Sequence, residues 1–73
     1  MRGVVLKEII NKREIELEGF YTVEETARIL GVSFQTIYRY LQNNEISGKK
    51  TGPRRKWSIS GKAIKAKWDE WNR

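Results

Sequence analysis

The 73-residue sequence predicts a mainly α-helical domain that carries one small β-hairpin. Three segments begin with a Ser or Thr at an N-cap position and continue with apolar residues at helical spacing. Between the second and third segments, a Gly-Pro pair separates two weakly alternating stretches, which indicates a hairpin turn. A chain of this length supports only one small core, so we expect these elements to form a single domain.

The first predicted helix covers residues 23–30. The Thr22 hydroxyl can accept the backbone N–H of Glu25, and the Glu25 carboxylate can accept that of Thr22, so the two residues form a capping box. Gly31 follows at the position where a left-handed residue commonly ends a helix. The apolar stripe of this helix consists of Val23, Ala27 and Leu30.

The second predicted helix covers residues 34–43, with Ser33 as its N-cap. Its inward stripe is expected to hold Phe34, Ile37 and Leu41. Its other face carries hydrogen-bonding side chains and no acid: Gln35, Thr36, Tyr38 and Arg39. Two short helices joined by a turn of about three residues form a helix-turn-helix, although an ordinary helical hairpin has the same spacing. The polar outer face favours the first interpretation, because such side chains suit base edges and phosphates.

The predicted hairpin covers residues 46–59 and has a basic tip around Gly52-Pro53. An isolated two-stranded hairpin is only marginally stable, so this one must pack against the helices. Its candidate inward residues are Ile46, Trp57 and Ile59. The last predicted helix covers residues 61–72, with Ser60 as its N-cap. One face of that helix holds Ile64, Trp68 and Trp71, and the lysines off that face are Lys62, Lys65 and Lys67.

The tryptophan side chains can either fill the core or contact a membrane surface. A domain this small needs large side chains to exclude water, so we expect Trp57 and Trp68 to be buried. An amphipathic helix ending in two tryptophans could instead lie on a membrane surface, which is the weaker interpretation. The start of the chain holds no long apolar run, so we expect neither a signal peptide nor a membrane span.

Residues 1–19 are expected to form an N-terminal extension to a domain that covers residues 20–73. We predict a short helix followed by an extended segment, because the first apolar residues can share a helix face whereas residues 14–18 alternate like a strand. A hairpin that turns at Asn11-Lys12 is the alternative. The extension would cover the core or contact a second copy of the chain.

Positive charge is concentrated in the second part of the chain. Residues 1–30 carry five basic and six acidic side chains, a net charge of −1, whereas residues 31–73 carry ten basic and three acidic ones, a net charge of +7. Like charges at this density repel one another in a compact domain unless a polyanion neutralises them. Nucleic acid is the polyanion that fits best, and an anionic membrane surface is the weaker candidate.

The chain contains no histidine and no cysteine. This composition excludes disulfides, zinc fingers, thiol chemistry and histidine acid–base catalysis, and no pair of carboxylates has an evident shared site. We therefore expect no enzyme activity, no cofactor and no metal. A chain this short without disulfides is typical of an intracellular protein, so we expect it in the cytoplasm, associated with the nucleoid.

Three blocks of residues, in this order, resemble the small winged-helix DNA-binding domains of the excisionase and MerR-like superfamily. They are Tyr21 to Glu25 with Ala27, then Leu30 to Ser33 with Thr36 to Arg39, then the hairpin from Lys49 to Ile59. The resemblance implies a winged helix-turn-helix fold. It also implies that the helix after Ser33 enters the major groove, and that the hairpin is a wing on the phosphate backbone or in the minor groove.

Two residues depart from the pattern of that superfamily. Phe34 stands where Arg is common, so one phosphate or base contact is missing. Asn44 replaces the usual Gly between the recognition helix and the wing, which the backbone tolerates. Full MerR regulators continue into a dimerising helix and an effector domain without a counterpart in this sequence, so we expect no small-molecule effector.

Charge and resemblance together predict sequence-specific binding of double-stranded DNA, by an excisionase-like architectural factor or a compact transcription regulator. An integrase or recombinase, or a second copy on adjacent DNA sites, is the expected protein partner. The expected DNA-binding residues are Ser33, Gln35, Thr36, Tyr38, Arg39, Lys49, Lys50, Thr51, Arg54, Arg55 and Lys56. The alternatives are a protein–protein interaction module, in which the charge only solubilises, and RNA binding, which needs exposed aromatic side chains.

Overall fold

The computed structural model describes residues 6–72, which form three helices and two small antiparallel sheets. The helices are α1 (Val23–Leu30), α2 (Phe34–Gln42) and α3 (Gly61–Trp71). The strands are β1 (Lys7–Ile10), β2 (Arg13–Glu16), β3 (Phe20–Tyr21), β4 (Lys49–Thr51) and β5 (Lys56–Ser60). The fold is therefore mixed α/β rather than mainly α, because residues 7–21 supply three strands ahead of the first helix.

The pair of helices α1 and α2 forms as its capping residues predict. Thr22 Oγ1 accepts the N–H of Glu25 at 3.0 Å, and Glu25 Oε1 accepts the N–H of Thr22 at 2.9 Å, so the capping box is confirmed. Gly31 ends α1 in the left-handed conformation, with φ of 75°. Ser33 caps α2 by accepting the N–H of Thr36, and α2 ends one residue earlier than predicted.

The predicted hairpin is present as β4 and β5, joined by residues 52–55. We call residues 49–60 the basic hairpin. Its strand β5 lies at the centre of a three-stranded sheet, between β3 and β4, with Phe20 opposite Ser60 and Lys49 opposite Ser58. The short strand β3 therefore ties the segment before α1 to the hairpin that follows α2.

The short helix expected before residue 19 is wrong for the described residues, because β1 and β2 form a hairpin there. Asn11 and Lys12 make its two-residue turn with φ of 51° and 68°, the positive values that such turns require. Ile10 and Ile15 of this hairpin are 1% and 2% exposed and belong to the same core as the helices. The extension thus covers the core, and its residues 1–5 lie outside the described part of the chain.

The core lies where the helices meet the inner face of the three-stranded sheet. Ile37 of α2, Ile59 of β5 and Ile64 of α3 are completely buried at its centre. Around them lie other buried residues from the α1 stripe, from α2 and from the start of the predicted hairpin segment: Val23, Ala27, Leu30, Leu41 and Ile46. Helix α2 packs against α1, and α1 packs against β5, so α2 and the basic hairpin are held in one position relative to each other.

Several large side chains lie farther out than the sequence predicts. Phe34 is exposed rather than buried, because it occupies the open end of its stripe in the first turn of α2. Trp57 and Trp68 are half-buried at the edge of the core, and Trp71 is exposed. Lys67 lies farther inside than the sequence predicts, because only 6% of its surface is exposed.

Candidate nucleic-acid interface

The outer face of α2 carries an exposed aromatic pair. Phe34 and Tyr38 are one helical turn apart, and their rings meet edge to face with centroids 6.1 Å apart. Phe34 is 52% exposed and Tyr38 is 42% exposed. Gln35 and Arg39 are exposed on the same helix, and no hydrogen bond within residues 6–72 engages their side chains. This face therefore offers both apolar contact and free hydrogen-bonding groups to a ligand.

The basic hairpin presents a set of exposed cationic side chains around a tight turn. The N–H of Arg55 donates to the carbonyl of Gly52 at 3.0 Å, and Gly52 has open space around its Cα. On the inner side, the Lys50 ammonium lies 5.2 Å from the centre of the Trp57 ring, within cation–π range. The exposed cations of the hairpin are Lys49, Lys50, Arg54, Arg55 and Lys56.

A groove separates the outer face of α2 from the basic hairpin. Phe34 and Tyr38 line its helix side, and Glu24 lies in the wall formed by the start of α1. The hairpin side is lined by Lys50, Arg54, Arg55, Lys56 and Trp57. Two segments that are distant in the sequence thus border one surface, where four cations and one carboxylate surround an aromatic pair.

The hairpin cations differ from the lysines of α3 in having no carboxylate partner. Within residues 6–72, none of the five hairpin cations lies within ion-pair distance of an Asp or Glu side chain. The lysines of α3 are all engaged, in the pairs Lys62–Glu18 (3.0 Å), Lys65–Asp69 (2.7 Å), Lys67–Glu45 (3.1 Å) and Lys67–Glu70 (2.8 Å). The hairpin therefore carries positive charge that the fold itself does not neutralise.

Two lysines of α3 also have raised pKa values. The hydrogen bond to Asp69 raises the pKa of Lys65. Burial lowers the pKa of Lys67, but hydrogen bonds to Glu70 and Glu45 outweigh burial and raise it above its ordinary value. Both side chains are therefore charged at neutral pH, and both charges are committed to partners within the fold.

The structure brings five of the eleven predicted site residues together at the groove. Those that border the groove are Tyr38, Lys50, Arg54, Arg55 and Lys56. Gln35 and Arg39 are exposed on α2, directly after Phe34 and Tyr38 in the sequence, but they are not among the residues that line the groove. Ser33 and Thr36 lie at the start of α2, where their hydroxyl oxygens are 3.0 Å apart and Ser33 caps the helix.

Two predicted site residues lie away from the groove. Lys49 and Thr51 alternate with Lys50 along β4, and successive side chains of a strand point to opposite faces of a sheet. They line a second concave surface on the outer side of the three-stranded sheet, together with Phe20. A ligand that fills the groove beside α2 therefore does not contact Lys49 and Thr51 through the same surface.

Phe34 and Trp57 border the groove, although the sequence assigned both to the core. Each fits an apolar pattern with residues that are buried, so periodicity alone does not separate them from the core. The available signal for Phe34 is its place directly after the N-cap, where the first turn of α2 is uncovered. Trp57 has no such signal, because its half-buried position depends on how the hairpin packs against the helices.

Two further findings on residues 6–72 concern membranes and metal ions. None of the helices within residues 6–72 is long and apolar enough to cross a membrane. The same residues hold no group of three or more Asp, Glu, His or Cys side chains arranged to bind a metal ion.

Comparison with known proteins identifies a family for most of the chain. A protein-family model described as "Helix-turn-helix domain" matches residues 20–69. The match begins at β3 and extends into α3, so it includes α1, α2 and the whole basic hairpin. Comparison with curated proteins gives no significant match, and comparison with solved structures gives none either.

Proposed function

The chain belongs to the helix-turn-helix domain family, and on this premise we propose that it binds double-stranded DNA in a sequence-specific manner. In this proposal α2 is the recognition helix and enters the major groove with its N-terminal turns. Gln35 and Arg39 contact base edges there, since an amide or a guanidinium group can form two parallel hydrogen bonds with one base. The basic hairpin acts as a wing on the adjacent phosphate backbone or minor groove.

The observation that carries this proposal is the unpaired charge of the basic hairpin beside α2. Lys50, Arg54 and Arg55 face the groove without a carboxylate partner, whereas the lysines of α3 are neutralised by acids. Phosphate suits the sign and the spacing of these cations, and Arg can bind it through two parallel hydrogen bonds. A purely solubilising role would not explain why these cations lie together beside the exposed face of a helix.

The biological role we propose is that of an excisionase-like architectural factor or a compact transcription regulator. Several copies on adjacent sites would bend the DNA, or one copy would contact an integrase or recombinase. Either role places the protein with the nucleoid in the cytoplasm, and neither requires catalysis or a small-molecule effector. The chemistry of the site supports DNA binding equally in both roles.

RNA binding is a second candidate, because one observation favours it. Phe34 and Tyr38 are exposed side by side, and exposed aromatic side chains can stack on unpaired bases. Duplex DNA is nevertheless preferred, because the exposed pair lies on the outer face of a helix of about the length that fits a major groove. Direct competition between the two nucleic acids distinguishes these candidates.

The test is a binding measurement with a duplex selected by the protein from a random pool. Fluorescence anisotropy should show tighter binding to this duplex than to a random duplex, to either of its single strands or to the corresponding RNA. Arg39→Ala and Gln35→Ala should each reduce the preference for the selected duplex by roughly 1–3 kcal/mol if they remove a bidentate base contact. The thermal unfolding of both variants should be unchanged, because both side chains are exposed.

If single-stranded RNA binds as tightly as the selected DNA duplex, RNA binding becomes the favoured function. No binding to any nucleic acid would leave the helix-turn-helix as a protein-interaction module.

A further inference from the structure

We propose that Phe34 is a specificity-determining residue, whose ring contacts the C5-methyl group of a thymine in the major groove. The proposal rests on the proposed function, since it assigns a role to one side chain of the recognition helix. It concerns a residue outside the set expected to bind DNA. Its basis is the position of the ring, the chemistry of the bases and the charges around the groove.

Phe34 lies at the end of α2 that contacts base edges when a recognition helix binds DNA. It is the first residue of α2, directly after the N-cap Ser33, and it is 52% exposed. N-terminal residues of a recognition helix are the ones that contact base edges. A large apolar side chain at this position therefore faces the bases when α2 lies in the groove.

The chemistry of the bases restricts what this ring can contact. A phenyl ring neither donates nor accepts a conventional hydrogen bond, so it cannot pair with the donors and acceptors of base edges. Setting it against them would leave those polar atoms without partners, which is costly. In the major groove the methyl group of thymine is the apolar exception among the base edges, and Phe is among the residues that contact it.

Tyr38 holds the ring of Phe34 in a defined orientation. The two rings meet at an interplanar angle of 82°, in the edge-to-face arrangement that aromatic pairs prefer. Tyr38 lies one turn farther along α2, so its ring supports Phe34 from the side away from the helix start. The apolar edge is therefore in place before DNA binds, which reduces the entropy lost on binding.

The charges around the groove favour DNA over a protein as the occupant. Lys50, Arg54, Arg55 and Lys56 line the opposite side and suit the phosphates that flank a major groove. Glu24 is the carboxylate of the groove wall, and it repels phosphates from the α1 end. Backbone contacts are thus directed to the hairpin side, which leaves Phe34 and Tyr38 to face the bases.

The test removes single methyl groups from a duplex that the protein has selected from a random pool. Each thymine in turn is replaced by 2′-deoxyuridine, which lacks only the C5-methyl group, and affinity is measured by anisotropy. For the wild-type protein, one replacement should weaken binding about fourfold, as expected for one buried methyl group. The Phe34→Ala protein should be insensitive to that replacement, so that the two changes are not additive.

Phe20→Ala provides the matched control. Phe20 is also an exposed phenylalanine, 71% accessible, but it lies on the outer side of the three-stranded sheet. This variant should keep the wild-type response to every deoxyuridine replacement. If Phe34→Ala fails to fold, the test is repeated with Phe34→Gln, because glutamine is polar and suits an exposed helix position.

Three results would overturn the proposal. The selected duplexes could share no thymine, the wild-type protein could be indifferent to every replacement, or Phe34→Ala could retain the wild-type sensitivity. In each case duplex binding itself stands, and Phe34 becomes a candidate for contact with a protein partner. Failure of the wild-type protein to bind any duplex would overturn this proposal together with the proposed function.

Discussion

Lys67 illustrates at the scale of one residue how a basic chain accommodates a buried charge. Its ammonium group is hydrogen-bonded to Glu45 and Glu70 and lies 4.4 Å from the centre of the Tyr40 ring. The side chain therefore joins α3 to the segment after α2. Both carboxylates are partly exposed, so the ammonium group of Lys67 loses more of its hydration than either carboxylate does.

We expect Lys67→Ala to lower the free energy of unfolding by about 1–3 kcal/mol, because it removes two charged hydrogen bonds and the packing of the lysine stem. Chemical denaturation measures this value. Lys65→Ala, two residues away on α3, is the matched control and should change stability little, because its ion pairs are at the surface. Equal effects of the two changes would contradict the structural role of Lys67.

The pH dependence of this contribution follows from the direction of the pKa shift. The folded-state pKa of Lys67 is raised above its ordinary value of 10.5. Its stabilisation is therefore fully present below pH 10.5 and is lost as the pH rises through the raised value. The difference in stability between wild type and Lys67→Ala should thus be constant near neutrality and shrink only in strongly alkaline solution.

At the scale of the element, the basic hairpin carries the exposed cations that have no carboxylate partner within residues 6–72. Arg54→Ala combined with Arg55→Ala should weaken binding to specific and random duplexes by similar factors, about tenfold, because we propose that these side chains contact phosphates. The fold should be unchanged, because both side chains are exposed. Affinities for a selected and a random duplex, measured at one salt concentration, check this result.

A control for that double variant removes the same amount of charge elsewhere. Lys62→Ala with Lys65→Ala deletes two cations of α3 that are already paired with carboxylates. It should weaken DNA binding much less than the hairpin variant. Loss of specific binding alone in the hairpin variant would instead show that Arg54 and Arg55 read bases or minor-groove width.

The junction between the N-terminal hairpin and α3 depends on one glycine. The N–H of Gly61 donates to the carbonyl of Gly19 at 2.9 Å, and a Cβ on Gly61 would collide with the backbone of Glu16 and Leu17. Gly61→Ala should therefore cost about 3 kcal/mol, since backbone cannot give way as a side chain can. Gly19→Ala is the matched control: its nearest contacts are 3.3–3.4 Å, which need a shift of only a few tenths of an ångström, so its effect should be much smaller than that of Gly61→Ala. Thermal or chemical unfolding of the two variants measures the loss of stability that each change causes.

The elements that sequence predicts well are those whose signals are local. The caps Thr22, Ser33 and Ser60 each bond to a backbone N–H three residues on, so they mark the helix starts without reference to the rest of the chain. The hairpin that turns at Asn11-Lys12 was the alternative to the short helix that we predicted before residue 19, and the structure confirms the alternative. Its turn at Asn11-Lys12 carried the local signal, but the apolar residues before it fitted a helix face equally well.

The candidate site could be predicted only in its polar members. Exposed cations such as Arg54 and Arg55 are identifiable from the sequence, because nothing near them in the hairpin can neutralise them. The exposure of Phe34 depends on which elements cover the first turn of α2, and that is a property of the assembled fold. The same is true of Lys49 and Thr51, since the twist and pairing of β4 decide which face they occupy.

At the scale of the whole molecule, the distribution of charge should control DNA affinity. The net charge is +6, and four of the five hairpin cations border the groove beside α2: Lys50, Arg54, Arg55 and Lys56. If the protein neutralises five or six phosphates, the logarithm of the binding constant should fall against the logarithm of salt concentration with a slope of about −5. A titration series in salt measures it, and a slope shallower than about −2 would contradict the electrostatic basis of binding.

The most direct test of the central claim is to map the chemical shifts of the ¹⁵N-labelled protein during titration with a selected DNA duplex. We expect the largest changes in residues 34–39 of α2 and 50–57 of the basic hairpin, the two segments that border the groove. Phe20 and Ser58, on the outer side of the three-stranded sheet, should change little. Changes confined to that outer side, or none at all, would contradict the assignment of the groove as the DNA-binding site.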